Sequence, residues 1–248
     1  QKSAAKFLGN RKGAVVAIDL DAGGINVLYS SPAYSINKLS NGMSENEFQA
    51  LINDPDKPFF NRALQGRYPP ASTIKPAIGM YGLSNNIVNW DFELKDPGFF
   101  TLPETGRIFR GWLEGGHGKV NMHKAFLVSS NTYFFSLAYQ ADITELSNYL
   151  SSLGFGQKVC SDCFDEDRAF VPTPEWKYSI MNAGWVKGDT VNLGVGQGYL
   201  VATPMQLANY ASILATKGQY IEPSIVAVSN QKKSLKTWED KRFDDTDW

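Results

Sequence analysis

The period of the apolar positions changes along the chain. Near the start, Ala14–Asp19 (AVVAID) and Ile25–Ser31 (INVLYSS) are rich in β-branched residues and flank Asp21-Ala22-Gly23-Gly24. A turn-rich joint between two such runs predicts an antiparallel pair of strands. At Ser44 the pattern becomes helical, because Ser44 with Glu47 forms a capping box, and the Pro-rich DPDKPFF stretch ends that helix after Ile52. Tyr68-Pro69-Pro70 then fixes an extended approach to the segment beginning at Ala71. Asn121–Gln140 keeps helical spacing on both sides of the polar break Ser129-Ser130-Asn131, with Ala125, Phe126 and Val128 before it and Phe134, Phe135, Leu137 and Ala138 after it. Two packed helices with a polar junction are expected. Asp142 and Glu145 open a further helix whose Ile143, Leu146, Leu150 and Leu153 share a face until Gly154-Phe155-Gly156 stops it. The clearest element runs from Thr203 to Gly218, with Thr203 at the N-cap, Pro204 at N1 and Gln206 completing a capping box. Tyr220–Ser229 reads as a strand start and Gln231–Trp248 as charged loop.

No repeat or Gly/Ser linker divides the sequence, so residues 1–248 are expected to form a single domain. Strands toward both ends with helices between them predict a mixed α/β (α+β) fold, an antiparallel sheet flanked by helices. Composition adds exclusions. With 43% hydrophobic and 20% charged residues over 248 positions, the chain is neither a disordered tail nor a disulfide-stapled mini-protein. A net charge of -1 offers no general attraction to nucleic acid or an anionic membrane. No apolar run approaches the roughly 20 residues that span a bilayer, and Gln1–Gly13 lacks the pattern of a signal peptide. Any export or anchoring segment is expected outside these residues.

Cys160 and Cys163 form C-x-x-C inside the acidic stretch VCSDCFDEDR, which is not the strand-to-helix junction of a thioredoxin-like motif. A local disulfide, two free thiols, or a metal site drawing on Asp162, His117 and His123 all remain open from spacing alone. His117, in Gly-Gly-His-Gly, reads as a loop residue and His123 as a helix-surface residue, neither in a Ser-His-Asp setting.

Ser72-Thr73-Ile74-Lys75 is the informative tetrapeptide. At a helix start, positions i and i+3 share a face, so the Lys75 amine can approach the Ser72 hydroxyl. A serine needs a base at neutral pH, and a lysine is one only when its surroundings depress its pKa; Lys75 is therefore expected to be predominantly neutral. Alone, S-x-x-K is a weak signal.

Its context is specific. Asn61-Arg62-Ala63-Leu64-x-Gly66-x-Tyr68-Pro69-Pro70-Ala71-Ser72-Thr73-Ile74-Lys75-Pro76 resembles the active-serine segment of class B (monofunctional) penicillin-binding proteins. Ser129-Ser130-Asn131 resembles that family's S-x-N motif, and Gly188-Asp189-Thr190-x-Asn192-x-Gly194-x-Gly196-Gln197-Gly198 with Ala202-Thr203-Pro204-x-Gln206 resembles another of its blocks. Tyr68-Pro69-Pro70 before the serine, Asp96-Pro97-Gly98 and the stretch from Trp112 to Val120 resemble the penicillin-binding protein 2 group, the elongation-specific D,D-transpeptidases.

The resemblance implies a penicillin-binding and serine β-lactamase-like transpeptidase fold. It implies Ser72 as acylated nucleophile, Lys75 as general base, Ser129 as proton relay and Asn131 as a ligand of the peptide substrate. The implied donor is a peptidoglycan stem peptide ending in D-Ala-D-Ala, β-lactams acylate the same serine, and no metal or organic cofactor is involved. A SEDS-family glycosyltransferase and the elongation machinery are the implied partners, at the periplasmic face of the inner membrane, with no nucleic acid partner and an N-terminal membrane helix outside this chain. Gln197 and its glycines suit substrate binding or a tight turn, and Gly111–Gly118 a groove wall or a surface loop.

Two departures stand out. Ala71 replaces the usual glycine before the serine, tolerable at negative φ. No K-[ST]-G occurs, since Lys233-Ser234-Leu235 and Lys236-Thr237-Trp238 lack the glycine, so the chain is expected to be truncated before that strand and its sheet to be incomplete. A non-catalytic β-lactam sensor or wall-binding module is the alternative. A serine β-lactamase is a poorer one, resting on Glu145-Leu146-Ser147-Asn148.

Overall fold

The computed structural model describes residues 1–226, 235–240 and 248. They divide into two compact units: residues 1–68, 154–169 and 202–238 form the first, and 69–153, 170–201 and 239–248 the second.

In the first unit the expected strands form, as Gly13–Ile18 and Ile25–Ser31, paired antiparallel with Gly13 opposite Ser31 and a bulge at Ala17/Ile18. Their turn is fixed by Asp19, whose carboxylate accepts the amides of Asp21 and Ala22. Val16, Ile18, Ile25 and Leu28 pack on a buried cluster of Leu64, Val159, Cys160, Cys163 and Met205. Met205 comes from the helix Pro204–Ala215, which carries the expected Thr203/Gln206 capping box. Gln206 is fully buried and its amide donates to the carbonyls of Gln157 and Arg168, so that block of the sequence is a structural anchor. The predicted Ser44-capped helix forms as Glu45–Ile52.

The strand expected from Tyr220 is Gln219–Ile221, and its antiparallel partner, Leu235–Thr237, lies in a stretch read as loop. Runs of three residues carry too little pattern to be seen in sequence. Of the rest of the strand expected to Ser229, residues 222–226 hold only an isolated bridge at Ser224, and 227–229 lie outside the described residues. Lys236, the first residue of a would-be third motif, sits on that strand with Nζ 2.6 Å from Glu222.

The second unit is built on the helix Asn131–Gln140, whose Tyr133, Phe134, Phe135, Leu137 and Ala138 are all buried. A helix apolar on every side belongs in an interior. Helices Lys75–Ser84, Met122–Leu127 and Lys187–Leu193 pack around it. The Asp142-capped helix forms as Ile143–Ser152 and buries Leu146 and Leu150. Two short antiparallel pairs, Leu94–Asp96 with Gly118–Val120 and Phe99–Thr101 with Ile108–Arg110, bracket the Gly111–Gly118 loop. The result is a mixed α/β fold of short antiparallel sheets flanked by helices. Among the described residues, no helix is long and apolar enough to cross a membrane.

Candidate active site

Pro69-Pro70 leads into a 3-10 turn, Ala71–Ile74, that runs directly into the helix Lys75–Ser84 with Pro76 in its first turn. Residue 71 departs from expectation: its φ is +50°, in the left-handed region, where alanine costs about 1–2 kcal/mol. The cause is visible in the glycine block. The Ala71 amide donates to the Gly196 carbonyl at 2.9 Å, and a Cβ on Gly196 would stand 2.2 Å from the Ala71 carbonyl oxygen. Gly196 therefore lets two backbones touch directly before the serine. Gln197 is exposed in the same tight turn, its amide bonded to Asn192, which supports the turn reading over substrate binding. Asp189 of that block is also structural: its carboxylate takes the buried Lys177 amine at 2.6 Å.

The turn leaves Ser72 exposed and buries Lys75, which is 2% exposed. Facing them is the polar junction. Ser130, not Ser129, caps the Asn131 helix by accepting the Tyr133 amide, so the residues on either side of it are free to turn toward Lys75. Lys75 Nζ donates to Ser129 Oγ at 2.9 Å, to the Ser129 carbonyl at 2.9 Å and to Asn131 Oδ1 at 2.7 Å, with the Phe134 ring 5.4 Å away. Ser129 Oγ in turn donates to Ser72 Oγ at 3.1 Å. The four residues singled out in the sequence thus meet across separations of up to 57 positions. Ser129 reaches this place with a φ of +51°, a second left-handed residue in the site.

Burial pushes the Lys75 amine down to about 8. The direction is the one expected of a lysine that serves as a base: desolvation favours the neutral form, while three oxygen acceptors surround the amine. What the cluster can do is move a proton from Ser72 through Ser129 to the neutral fraction of Lys75, since both hydroxyls can rotate to reverse the hydrogen bonds shown.

Sequence reasoning missed Asp96, a carboxylate 2% exposed behind the junction. Its Oδ2 accepts from Ser130 Oγ at 2.7 Å and lies 2.8 Å from His117 Nδ1, while Oδ1 accepts the Gly98 amide. Burial raises a carboxyl, but here the side chains of His117, Thr132 and Ser130 and the Gly98 amide outweigh it and hold Asp96 below its ordinary range. His117 lies in the expected loop, yet its ring is buried; His123 is exposed on its helix, as expected. Asp96-Pro97-Gly98 was the available signal, since Asp two residues before Gly suits a side chain that bonds its own turn. Cys160 and Cys163 are joined in a disulfide, which resolves the alternatives left open by their spacing.

The penicillin binding protein transpeptidase domain family matches residues 13–248. The chain belongs to that family. It is 41% identical over 233 residues to the peptidoglycan D,D-transpeptidase MrdA of Acinetobacter baumannii, covering 94% of this chain and 35% of that protein. The crystal structure of Pseudomonas aeruginosa PBP2 in complex with WCK 5153 superposes with a TM-score of 0.89 at 36% identity, covering 96% of this chain and 54% of that one. PBP2 from the Helicobacter pylori complex with MreC gives a TM-score of 0.86 at 32% identity, covering 97% and 44%. The chain thus spans about a third of the length of the curated relatives it matches. The resemblance to the penicillin-binding protein 2 group and the transpeptidase fold expected from the motifs are both found.

Proposed function

We propose that this chain carries the acyl-transfer centre of a peptidoglycan D,D-transpeptidase of the elongation type. The observation that carries the reading is the hydrogen-bonded line from Ser72 through Ser129 to a buried, pKa-depressed Lys75. Ser72 Oγ attacks the carbonyl of the penultimate D-Ala of a stem peptide, and its proton passes through Ser129 to neutral Lys75. The amide C–N bond breaks, and the terminal D-Ala leaves as an amine with a proton returned along the same line. An amine of a neighbouring stem peptide then attacks the ester, forming the cross-link and releasing Ser72. Asn131, held against Lys75, is placed to bond the peptide backbone of the donor.

A β-lactam carries its reactive carbonyl to the same oxygen and stays attached. The relatives named D,D-transpeptidases support the donor, and the Helicobacter pylori PBP2 solved with MreC supports a partner from the elongation machinery, with a SEDS-family glycosyltransferase beside it at the periplasmic face of the inner membrane. The β-lactamase reading loses its only candidate, because Glu145 lies in the first turn of the Ile143–Ser152 helix and accepts from Tyr81, not from the serine cluster. Labelling the intact protein with a penicillin and locating the adduct by mass spectrometry of a peptic digest tests the reading. The adduct is expected on Ser72 and absent in Ser72→Ala; an adduct elsewhere that survives Ser72→Ala overturns it. Release of D-Ala from a D-Ala-D-Ala donor separates a transpeptidase from a sensor that is acylated only by the drug.

A further inference from the structure

We propose that Asp96 is a positioning residue for the reaction at Ser72, acting through Ser130 to hold the Ser129 turn in its left-handed shape; this rests on the transpeptidase reading above. Ser129 is the link between nucleophile and base, and it supplies Lys75 with both its hydroxyl and its carbonyl. A serine at a φ of +51° relaxes to ordinary backbone unless its neighbours prevent it. Both neighbours are gripped. On one side, Ser130 is fully buried and donates to Asp96. On the other, the Val128 carbonyl accepts the indole N–H of Trp112 at 3.1 Å.

The two grips are joined to each other. Trp112 packs on His117 with ring centroids 5.3 Å apart, and His117 holds the same Asp96 oxygen that Ser130 uses. The loop bearing both rings is fixed at its base, where Asp96 pairs with Gly118 and Lys124 Nζ donates to the carbonyls of His117 and Lys119. Within it, Gly116 comes so close that a Cβ would stand 2.2 Å from the Asp96 carbonyl oxygen and the Gly98 nitrogen. Its φ of +71° also favours glycine. A buried carboxylate with three satisfied donors is a rigid post. Asp96 has no contact with the reacting atoms to explain its place; its bonds run to the turn that carries them.

The test is the rate of penicillin acylation of the intact protein, resolved by stopped flow into a first-order acylation constant and a half-saturating concentration. Asp96→Ala and Ser130→Ala are each expected to lower the first-order constant about 30-fold, inside the roughly hundredfold that a 1 Å misplacement costs, with half-saturation within about 3-fold of parent. The double variant should lose little more than the worse single one, because both changes cut one connection. Ser130→Thr, which keeps the hydroxyl, should recover to within about 3-fold. Trp112→Phe, at a position 62% exposed, keeps an aromatic ring but trims the indole and removes its N–H, and its exposure lets it fold even where Asp96→Ala does not; a fall of about 5-fold in the first-order constant is expected. A parent unlabelled at Ser72 overturns the functional reading and this inference with it. A labelled parent overturns the inference alone if Trp112→Phe and Ser130→Ala acylate at the parent first-order rate, if Asp96 and Ser130 losses multiply, or if the loss falls on half-saturation.

Discussion

Ser72 with Lys75 in the second unit and Cys160 with Cys163 in the first are both pairs of reactive side chains three residues apart, and they end differently. The cysteines are bonded to each other and lie in a buried apolar cluster. Asp162 between them is also fully engaged, accepting from Ser224 Oγ, Ile225 N and Val226 N at 2.7–2.9 Å. The reactive groups of that loop are all taken, the sulfurs by each other and the Asp162 carboxylate by residues 62–64 positions downstream. In the other pair, the lysine donates to three oxygens more than 50 residues distant and the serine stays exposed. Spacing places two side chains on one face; whether they remain reactive depends on a third group. In the serine turn that group is Ser129, and both chain segments that meet there are left-handed.

The largest break of this contrast is Lys75→Met. If the lysine matters only as the terminus of the relay, the first-order acylation constant should fall by about 10³-fold, in the middle of the range for a general base. A rate within tenfold of parent would mean that the serine needs no base, and that the pair is as inert a coincidence as its spacing alone suggests.

Gly196→Ala attacks the support instead of the chemistry. The added Cβ meets backbone, the Ala71 carbonyl oxygen at 2.2 Å, and sits at a φ of +69°, so a loss of about 3 kcal/mol in unfolding free energy is expected, together with slower acylation. Unchanged stability would show that the two backbones do not touch.

The same Lys75→Met pair yields a smaller effect in stability. The amine titrates at 10.5 when unfolded and at about 8 when folded. Between those values the unfolded chain holds the extra proton, so the parent gains stability as pH rises; the penalty of burying the charge is complete below pH 8 and gone above 10.5. Urea unfolding of parent and Lys75→Met at pH 7.5 and pH 10.5 should show the parent gaining about 2 kcal/mol relative to the variant. No change in that difference would remove burial as the cause of the depressed pKa. The disulfide has no such dependence. Replacing both Cys160 and Cys163 with Ser closes no loop and should cost about 1–2 kcal/mol, with acylation within twofold of parent. A large loss of acylation would end the contrast between a structural pair and a reactive one.

How much of this was readable in the sequence depends on how far apart the determinants lie. Helices with local stop and start signals, such as Thr203-Pro204 with Gln206, were readable to within a residue or two. The helix Pro174–Met181 carries the same Thr173-Pro174 signal and could have been found by the same rule. The three-residue strands could not, because pairing decides them and period does not. In the site, Ser72, Lys75, Ser129 and Asn131 were legible as motifs. Asp96 was not: its partners lie 21 and 34 positions away, and a lone acid before Pro-Gly looks like a turn. The positive φ of Ala71 was also hidden, because it is imposed by Gly196 far downstream.

The strain at residue 71 can be tested at its own position, and it is the smallest effect. With φ at +50°, alanine there bears about 1–2 kcal/mol that glycine does not. Glycine gives back about 0.5–1 kcal/mol through the greater freedom of the unfolded chain. Ala71→Gly is therefore expected to stabilise the protein by about 0.5 kcal/mol, or roughly 1–2 °C in Tm, by urea and thermal unfolding. Ala71→Val calibrates the sign, since a β-branched side chain in the left-handed region should cost about 2 kcal/mol. A residue at negative φ would reverse the first result, because glycine would then bring only flexibility and lose about 0.5–1 kcal/mol. A destabilised Ala71→Gly would thus return residue 71 to the ordinary backbone its own sequence suggests. It would also leave Ser129 as the one left-handed residue holding nucleophile and base together.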